Sequence, residues 1–334
     1  MAGVHEVTMK FSTTEQKQYE SIVADVQAYM QTLAPDLQAV SQTYVTALIE
    51  REFVQMMSLL PYWLTDLLPV SAEVAHRLGV AHFYICWYYH AQDDLVDNET
   101  PATTILGAHL ALLKAVEVYE TLGLTRSPCW TDFQRLAHLS AETYALEMKT
   151  RFTCLCELNL DNLEVFTLRF AGNRVAVFCF NTIAQAYLAG YFADDSRLQD
   201  LEATLQDFMI ARQIGDDIGD WLTDLQAGQL NYVSAQFIRR LHNRGIITAN
   251  QPLKLEWLAS YQTRDEGFWI EIERTTNQLH AQALARLTPY SDCALRTRLI
   301  ESQMKDHAQA WEFGRTSRTY WRKLFGLSLE TDEA

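Results

Sequence analysis

Four aspartates, Asp216, Asp217, Asp220 and Asp224, stand in the stretch RQIGDDIGDWLTDLQAG with apolar residues set between them. On a helix, residues four apart stack on one face, so these carboxylates fall within roughly a 100° arc. Two like charges about 6 Å apart repel by about 3 kcal/mol at an effective dielectric near 20. A second cluster lies upstream in FYICWYYHAQDDLVDNE, where Asp93, Asp94 and Asp97 repeat the first three offsets. Two such faces are hard to sustain without cations. Donor sets made only of oxygen select hard ions, Mg²⁺ in particular. Mg²⁺ in turn favours one or two carboxylates, several waters and phosphate oxygens over an all-protein cage. The chemistry implied is the handling of a phosphate-bearing ligand through metal. Either cluster alone would serve as an ordinary solvated helix face; the pair is much harder to explain that way.

The elements that must position these residues are helices. Apolar residues recur at helical spacing in YESIVADVQAYMQTL, ILGAHLALLKAVEVYETL, LEATLQDFMIARQIGDDIGDWLTDL and CALRTRLIESQMKDHAQAWEFG. Strand alternation and Asn-Gly hairpin turns are absent. Breaks are expected at Ala34-Pro35, Leu68 to Ser71, Glu99 to Pro101, Ser127-Pro128 and Asn250 to Pro252. With 334 residues, 49% of them hydrophobic, and no linker-like tract, the chain is expected to form one all-α antiparallel bundle over 1–334, with 1–15 flexible. The run VFTLRFAGNRVAVFCFNTIAQAYLAGYFA, from Val165 to Ala193, is long enough to span a membrane. Arg169, Asn173 and Arg174 inside it argue instead for a helix at the centre of the bundle, with an internal anionic partner for the arginines.

The net charge of −15 speaks against nucleic acid or an anionic membrane as partner. Six cysteines show no zinc-like pairing with histidines, and Cys154 and Cys156 are not a redox CxxC, so reduced and mostly buried thiols are expected. The polar N-terminus is unlike a secretory signal, which leads to the expectation of a cytoplasmic protein without stable membrane insertion. No Gly-x-Ser-x-Gly elbow, glycine-rich phosphate loop or HExxH zinc spacing occurs. His82 and His90 read as core or rim residues.

With both motifs in hand, the sequence resembles the class I isoprenoid synthase superfamily. DDLVD (Asp93 to Asp97) looks like that family's first aspartate-rich motif. DDIGDWLTD (Asp216 to Asp224) has the spacing of the terpene-synthase metal motif, but with Asp at every ligand position, which brings it nearer the second DDxxD of prenyltransferases. The resemblance implies three Mg²⁺ ions, two on Asp93 with Asp97 assisting and one on Asp216, Asp220 and Asp224. Asp94 and Asp217 are neighbouring candidates. It also implies a diphosphate-sensing arginine, Arg169 or its competitor Arg174, with Gly172 marking a helix break. A C-terminal cap on the diphosphate would come from Arg315, Arg318 and Tyr320.

Within the superfamily, elongating enzymes carry a basic element before the first motif, where this chain has only Arg51, and Gly-Lys after the second, where it reads Gly228-Gln229. The expectation is therefore a class I terpene synthase, which ionises an allylic prenyl diphosphate (C10–C20) and lets the cation cyclise. The alternatives are a trans-prenyltransferase or a squalene/phytoene-synthase-like coupling enzyme, and, in another class, a helical protein that keeps the fold without catalysis. Phe83, Tyr88, Tyr89, Phe178 and Trp311 are candidates for an aromatic pocket, since ring faces stabilise cations by about 0.5–2 kcal/mol each. A homodimer is compatible with the resemblance.

Overall fold

The computed structural model describes residues 11–248, 253–290 and 293–324. Among them every regular element is helical, with no strand. The α-helices are α1 (Thr13–Met30), α2 (Pro35–Glu50), α3 (Glu52–Trp63), α4 (Ala72–Val96), α5 (Thr104–Thr121), α6 (Cys129–Thr150), α7 (Leu168–Arg174), α8 (Phe180–Leu188), α9 (Ser196–Gln226), α10 (Tyr232–Asn243), α11 (Leu255–Tyr261), α12 (Glu266–Leu287) and α13 (Glu301–Leu324). No helix among the described residues is long and apolar enough to cross a membrane.

Local chemistry places the boundaries. Ser12 and Glu15 form a reciprocal capping box that starts α1; residues 1–10 of the stretch expected to be flexible lie outside the described residues. Pro35 opens α2 and the Ser71 hydroxyl caps α4 through the Val74 N–H. The break expected at Asn250 to Pro252 lies outside the described residues.

The chain divides into two compact units. The first holds the described residues up to Arg135, Phe178–Glu202 and Pro289–Leu299. Its centre is α4, almost wholly buried from Leu78 to Trp87, against an α3 whose Val54, Met56, Met57, Leu59 and Leu60 are fully buried. Gly79 permits this packing: a Cβ there would lie 2.6 Å from the Ser58 carbonyl oxygen. Buried amides satisfy backbone groups that helix ends leave over, as where Gln185 donates to the carbonyls of Pro61 and Leu68, both at 3.0 Å.

The second unit holds Leu136–Val177, Ala203–Thr288 and the described residues from Ile300 on. Ile214, Trp221 and Leu225, on one face of α9, join Phe237, Leu258, Phe268 and Trp269 in its core. Its buried His280 and half-buried His307 lie with ring centroids 4.9 Å apart, and desolvation pushes them down to about 4 and about 3, which keeps both neutral. Gly215 admits this pair, since a Cβ there would stand 2.9 Å from the His307 Nε2.

Two expectations are corrected. The apolar run from Val165 to Ala193 is not one helix: α7 ends at Arg174, a short 3-10 turn covers Ala176–Cys179, and α8 follows. The polar residues inside the run account for this, because Arg174 ends α7 and turns to Glu147 at 3.5 Å. Gly172 lies within α7, where it lets that helix approach Ile210 on α9, with 3.0 Å to a Cβ. The cysteines also divide. Cys86, Cys129, Cys179 and Cys293 are free and buried, whereas the exposed Cys154 and Cys156 are joined by a disulfide, their Cα atoms 5.3 Å apart around a 3-10 turn.

Candidate functional site: two acidic helix ends

The first acidic cluster occupies the C-terminal end of α4, the negative pole of its peptide dipoles, where cations are favoured and carboxylates are not, while the second runs back along α9 from Asp224 in its last turn to Asp216. Neither helix has a basic residue in its last turn.

In the first unit α4 stops through Asn98, whose φ of 61° is left-handed, and the Glu99 N–H returns to the Asp94 carbonyl at 2.7 Å. Asp93 and Asp97 are half-buried one helical turn apart. Asp94, 9% exposed, points into the protein. The Tyr44 hydroxyl donates to its Oδ2 at 2.6 Å and the Arg51 Nη2 at 3.0 Å, while Arg51 Nη1 lies 3.3 Å from the His90 Nδ1. α2, the α2–α3 junction and α4 thus converge on one carboxylate. Burial, followed by the charges of Asp94, Asp97 and Asp93, pushes the Glu99 carboxyl up, which registers the negative field at this end.

Next to this end, Phe178 is the hub of a ring cluster, with Phe53 at 5.1 Å, Tyr89 at 6.0 Å and His90 at 6.1 Å between centroids. Tyr88 meets Tyr89 edge-on at 5.0 Å. Phe83 is fully buried in the core around α4, and Trp311 belongs to the core of the second unit. Of the five aromatic candidates the structure therefore groups Tyr88, Tyr89 and Phe178.

In the second unit α9 closes by the same device. Gly228, with φ 81°, ends the helix, and the Gln229 N–H bonds the Asp224 carbonyl at 2.8 Å. The aspartates sort into two kinds. Asp216, its side chain 54% exposed with Arg212 at 3.9 Å, and Asp220 face outward; burial and then Asp216 push the Asp220 carboxyl up. Asp217 is buried: Gln213 Nε2 donates to its Oδ1 and the Tyr232 N–H to its Oδ2, both at 2.8 Å. Burial pushes its carboxyl up to about 7, against the opposing pull of those hydrogen bonds and of the Arg174 charge. Asp224 accepts from the Asn231 Nδ2 at 2.7 Å, and the same amide reaches the Asp217 carbonyl at 3.3 Å. Asn231 is also the N-cap of α10, so Asp217 and Asp224 tie the start of α10 to the end of α9.

Of the two candidate arginines, Arg169 is exposed. Arg174 is half-buried, its guanidinium 5.2 Å from the Tyr144 ring centroid and its charge felt at Asp217. The C-terminal basic residues are engaged along α12: Arg315 pairs with Glu273 at 2.7 Å, and Arg318 pairs with Glu266 at 3.0 Å while lying over Trp269. Tyr320 is 61% exposed.

Among the described residues, no three His, Cys, Asp or Glu side chains are gathered closely enough to hold a metal by themselves. The donors do suit Mg²⁺ in another way. Each end presents a pair of carboxylates four residues apart, Asp93 with Asp97 and Asp216 with Asp220, and an ion so held keeps most of its sites for water and phosphate oxygen. Tyr44, Asn231 and Glu99 are part of this construction and carry no motif that a sequence would reveal.

The fold is that of the isoprenoid synthases. A decaprenyl diphosphate synthase from Rhodobacter capsulatus superposes with a TM-score of 0.70 at 15% identity, over 89% of this chain and 97% of that one. A geranylgeranyl pyrophosphate synthetase from the archaeon Geoglobus acetivorans gives 0.65 at 14%, over 86% and 96%. A polyprenyl synthase from Caulobacter crescentus, in complex with calcium and isoprenyl diphosphate, gives 0.63 at 14%, over 86% and 93%. No protein-family model matches the chain, and no curated protein sequence matches it.

Proposed function

We propose that this protein is a divalent-metal-dependent enzyme acting on an allylic prenyl diphosphate, and that its reaction is transfer of the prenyl group to a second isoprenoid. The observation that carries the metal and diphosphate part is the pair of acidic helix segments, each with two outward or half-buried carboxylates four residues apart. Prenyl transfer is favoured over the cyclisation expected from the sequence because the similar structures are of diphosphate synthases that build prenyl chains.

In this reading Asp93 and Asp97 at one end, and Asp216 and Asp220 at the other, hold Mg²⁺. When bound, the ion supplies Lewis-acid stabilisation of the departing diphosphate. Arg174, the half-buried arginine, donates hydrogen bonds to the diphosphate rather than the exposed Arg169. Asp217 and Asp224 position α9 against α10 instead of ligating. Tyr89 and Phe178 exclude water and turn ring faces or edges to the prenyl group. No side chain acts as nucleophile.

Cyclisation of a single substrate is kept as a second reading on one observation. Arg51, the base beside the first acidic end, is paired with Asp94 and lies against His90, so its charge is in part committed there rather than to a second diphosphate.

The test is incubation with Mg²⁺ and geranyl, farnesyl or geranylgeranyl diphosphate, with and without isopentenyl diphosphate, followed by mass spectrometry. A longer diphosphate that requires isopentenyl diphosphate is the expected product. A hydrocarbon or alcohol from one substrate alone would replace transfer by cyclisation. If no diphosphate is consumed under any condition, the reading fails. Asp93→Ala and Asp216→Ala are each expected to lower turnover by about 10²–10³-fold, the scale of losing a main electrostatic contact to the reacting group.

A further inference from the structure

A groove of about 740 Å³ between α10 and α12 is lined by four arginines, Arg239, Arg240, Arg244 and Arg274, against one carboxylate, Glu271. In a chain of net charge −15 this concentration is against the general trend. Part of it is neutralised locally. Arg240 and Arg244 share Asp265, which is only 3% exposed, at 2.9 and 3.3 Å, and Arg240 also reaches Glu271 at 3.1 Å. Arg239 bonds the Leu163 carbonyl and lies 3.3 Å from Glu164. Against the four guanidinium groups stand the carboxylates of Glu271, Asp265 and Glu164. The exposed Arg274 has no partner among the described residues, and the amide side chains of Asn243 and Gln278 are likewise free.

We propose that this groove is a metal-independent binding site for a small diphosphate-class anion. Guanidinium groups present paired N–H donors to the paired oxygens of a phosphate group, and free amides supply further donors around it. The apolar side chains at the base, Phe268 and Ile272, are almost wholly buried, so the groove offers little surface to a prenyl tail. The overall negative charge disfavours a long polyanion such as nucleic acid while leaving room for a compact one. The site differs in kind from the acidic ends, which require a cation before any phosphate can approach. It is also joined to one of them: Tyr232, which lines the groove, donates its backbone N–H to Asp217.

The difference in kind supplies the test. Calorimetric titration of the full-length protein with sodium diphosphate in EDTA, at low ionic strength where exposed charges are least screened, is expected to show one site per chain. Arg274→Ala should weaken this binding by about tenfold, the loss of one charge-assisted contact, and Gln278→Ala by less. Asp216→Ala should leave it unchanged. Both substitutions in the groove are at exposed positions, so a melting curve matching the wild type certifies each variant. Orthophosphate is expected to bind more weakly than diphosphate. Geranyl diphosphate should match inorganic diphosphate if the anion alone is read; clearly tighter binding would overturn the compact-anion assignment. Absence of any binding in EDTA, or binding that survives Arg274→Ala and Gln278→Ala together, would overturn the site. Because the readout contains no metal and no turnover, failure here and failure of the proposed activity are told apart.

Discussion

The two acidic helix ends are closed alike and supported differently. In each, a left-handed residue stops the helix and the next N–H returns to an aspartate carbonyl: Asn98 and Glu99 onto Asp94, Gly228 and Gln229 onto Asp224. In each, one aspartate is turned inward. Asp94 meets a guanidinium and a phenol, whereas Asp217 meets an amide and a backbone N–H, both neutral. Burial beside neutral donors is what pushes the Asp217 carboxyl up to about 7. The first end is therefore charge-neutralised by the fold in part, while the second depends on what binds it.

The comparison breaks most sharply at the caps. Gly228→Ala is expected to cost about 2–4 kcal/mol, since it forces a side chain into a left-handed backbone and places a Cβ 1.8 Å from the Phe152 carbonyl oxygen. A denaturant melt superimposable on the wild type would show that the cap is not needed. Next come the inward aspartates. Asp94→Asn should destabilise by about 1–3 kcal/mol at neutral pH, because it leaves the Arg51 charge facing an amide. Asp217→Asn should behave in the opposite sense. The folded-state value of Asp217, about 7, lies above its ordinary 3.8, so the native state holds a proton that the unfolded chain has released. The stability this provides is complete below pH 4 and is lost as pH rises through 7. The variant should therefore gain on the wild type between pH 5 and pH 8, read as the difference of their melting temperatures. A constant difference over that range would sink the assignment of a raised carboxyl. The smallest effect is Asn98→Gly, expected to stabilise by a few tenths of a kcal/mol at most, because asparagine already tolerates the left-handed region. A loss instead would mean that the Asn98 side chain contributes more than its backbone.

Much of the fold was legible because proline and small polar residues punctuate it: Pro35 opens α2, Ser71 caps α4, and Pro101 and Pro128 stand just before α5 and α6. Periodicity failed where a run was mostly apolar, with few polar residues to set a face. The few polar residues within Val165 to Ala193 do not mark a helix end by their spacing, and the Arg174 contact with Glu147, distant in sequence, goes with the stop of α7 there. Within the site, helical spacing grouped Asp216, Asp220 and Asp224. It could not show that Asp224 shares Asn231 with the Asp217 carbonyl, since that contact is set by how α10 leaves the turn after Gly228. Arg51 stood out as a lone base. That it would meet Asp94 on α4 from the α2–α3 junction depended on tertiary packing, to which local pattern is blind. The cysteines obeyed the same rule: four sit where apolar residues would, and the two that bond each other are brought close by a 3-10 turn.

The two caps also differ in the connections that leave them, with a consequence for grafting. After Glu99 the chain runs through Thr100 to Thr103 before α5, and Asp94 draws its side-chain partners from Tyr44 and Arg51, upstream of α4. A reporter peptide spliced into that connection would therefore leave the first end's fastening intact. After Gln229 only Leu230 separates the cap from Asn231, which clasps Asp224 and the Asp217 backbone. The same splice there would unclasp the second end, so the molecule offers one permissive seam and one that must be kept to length.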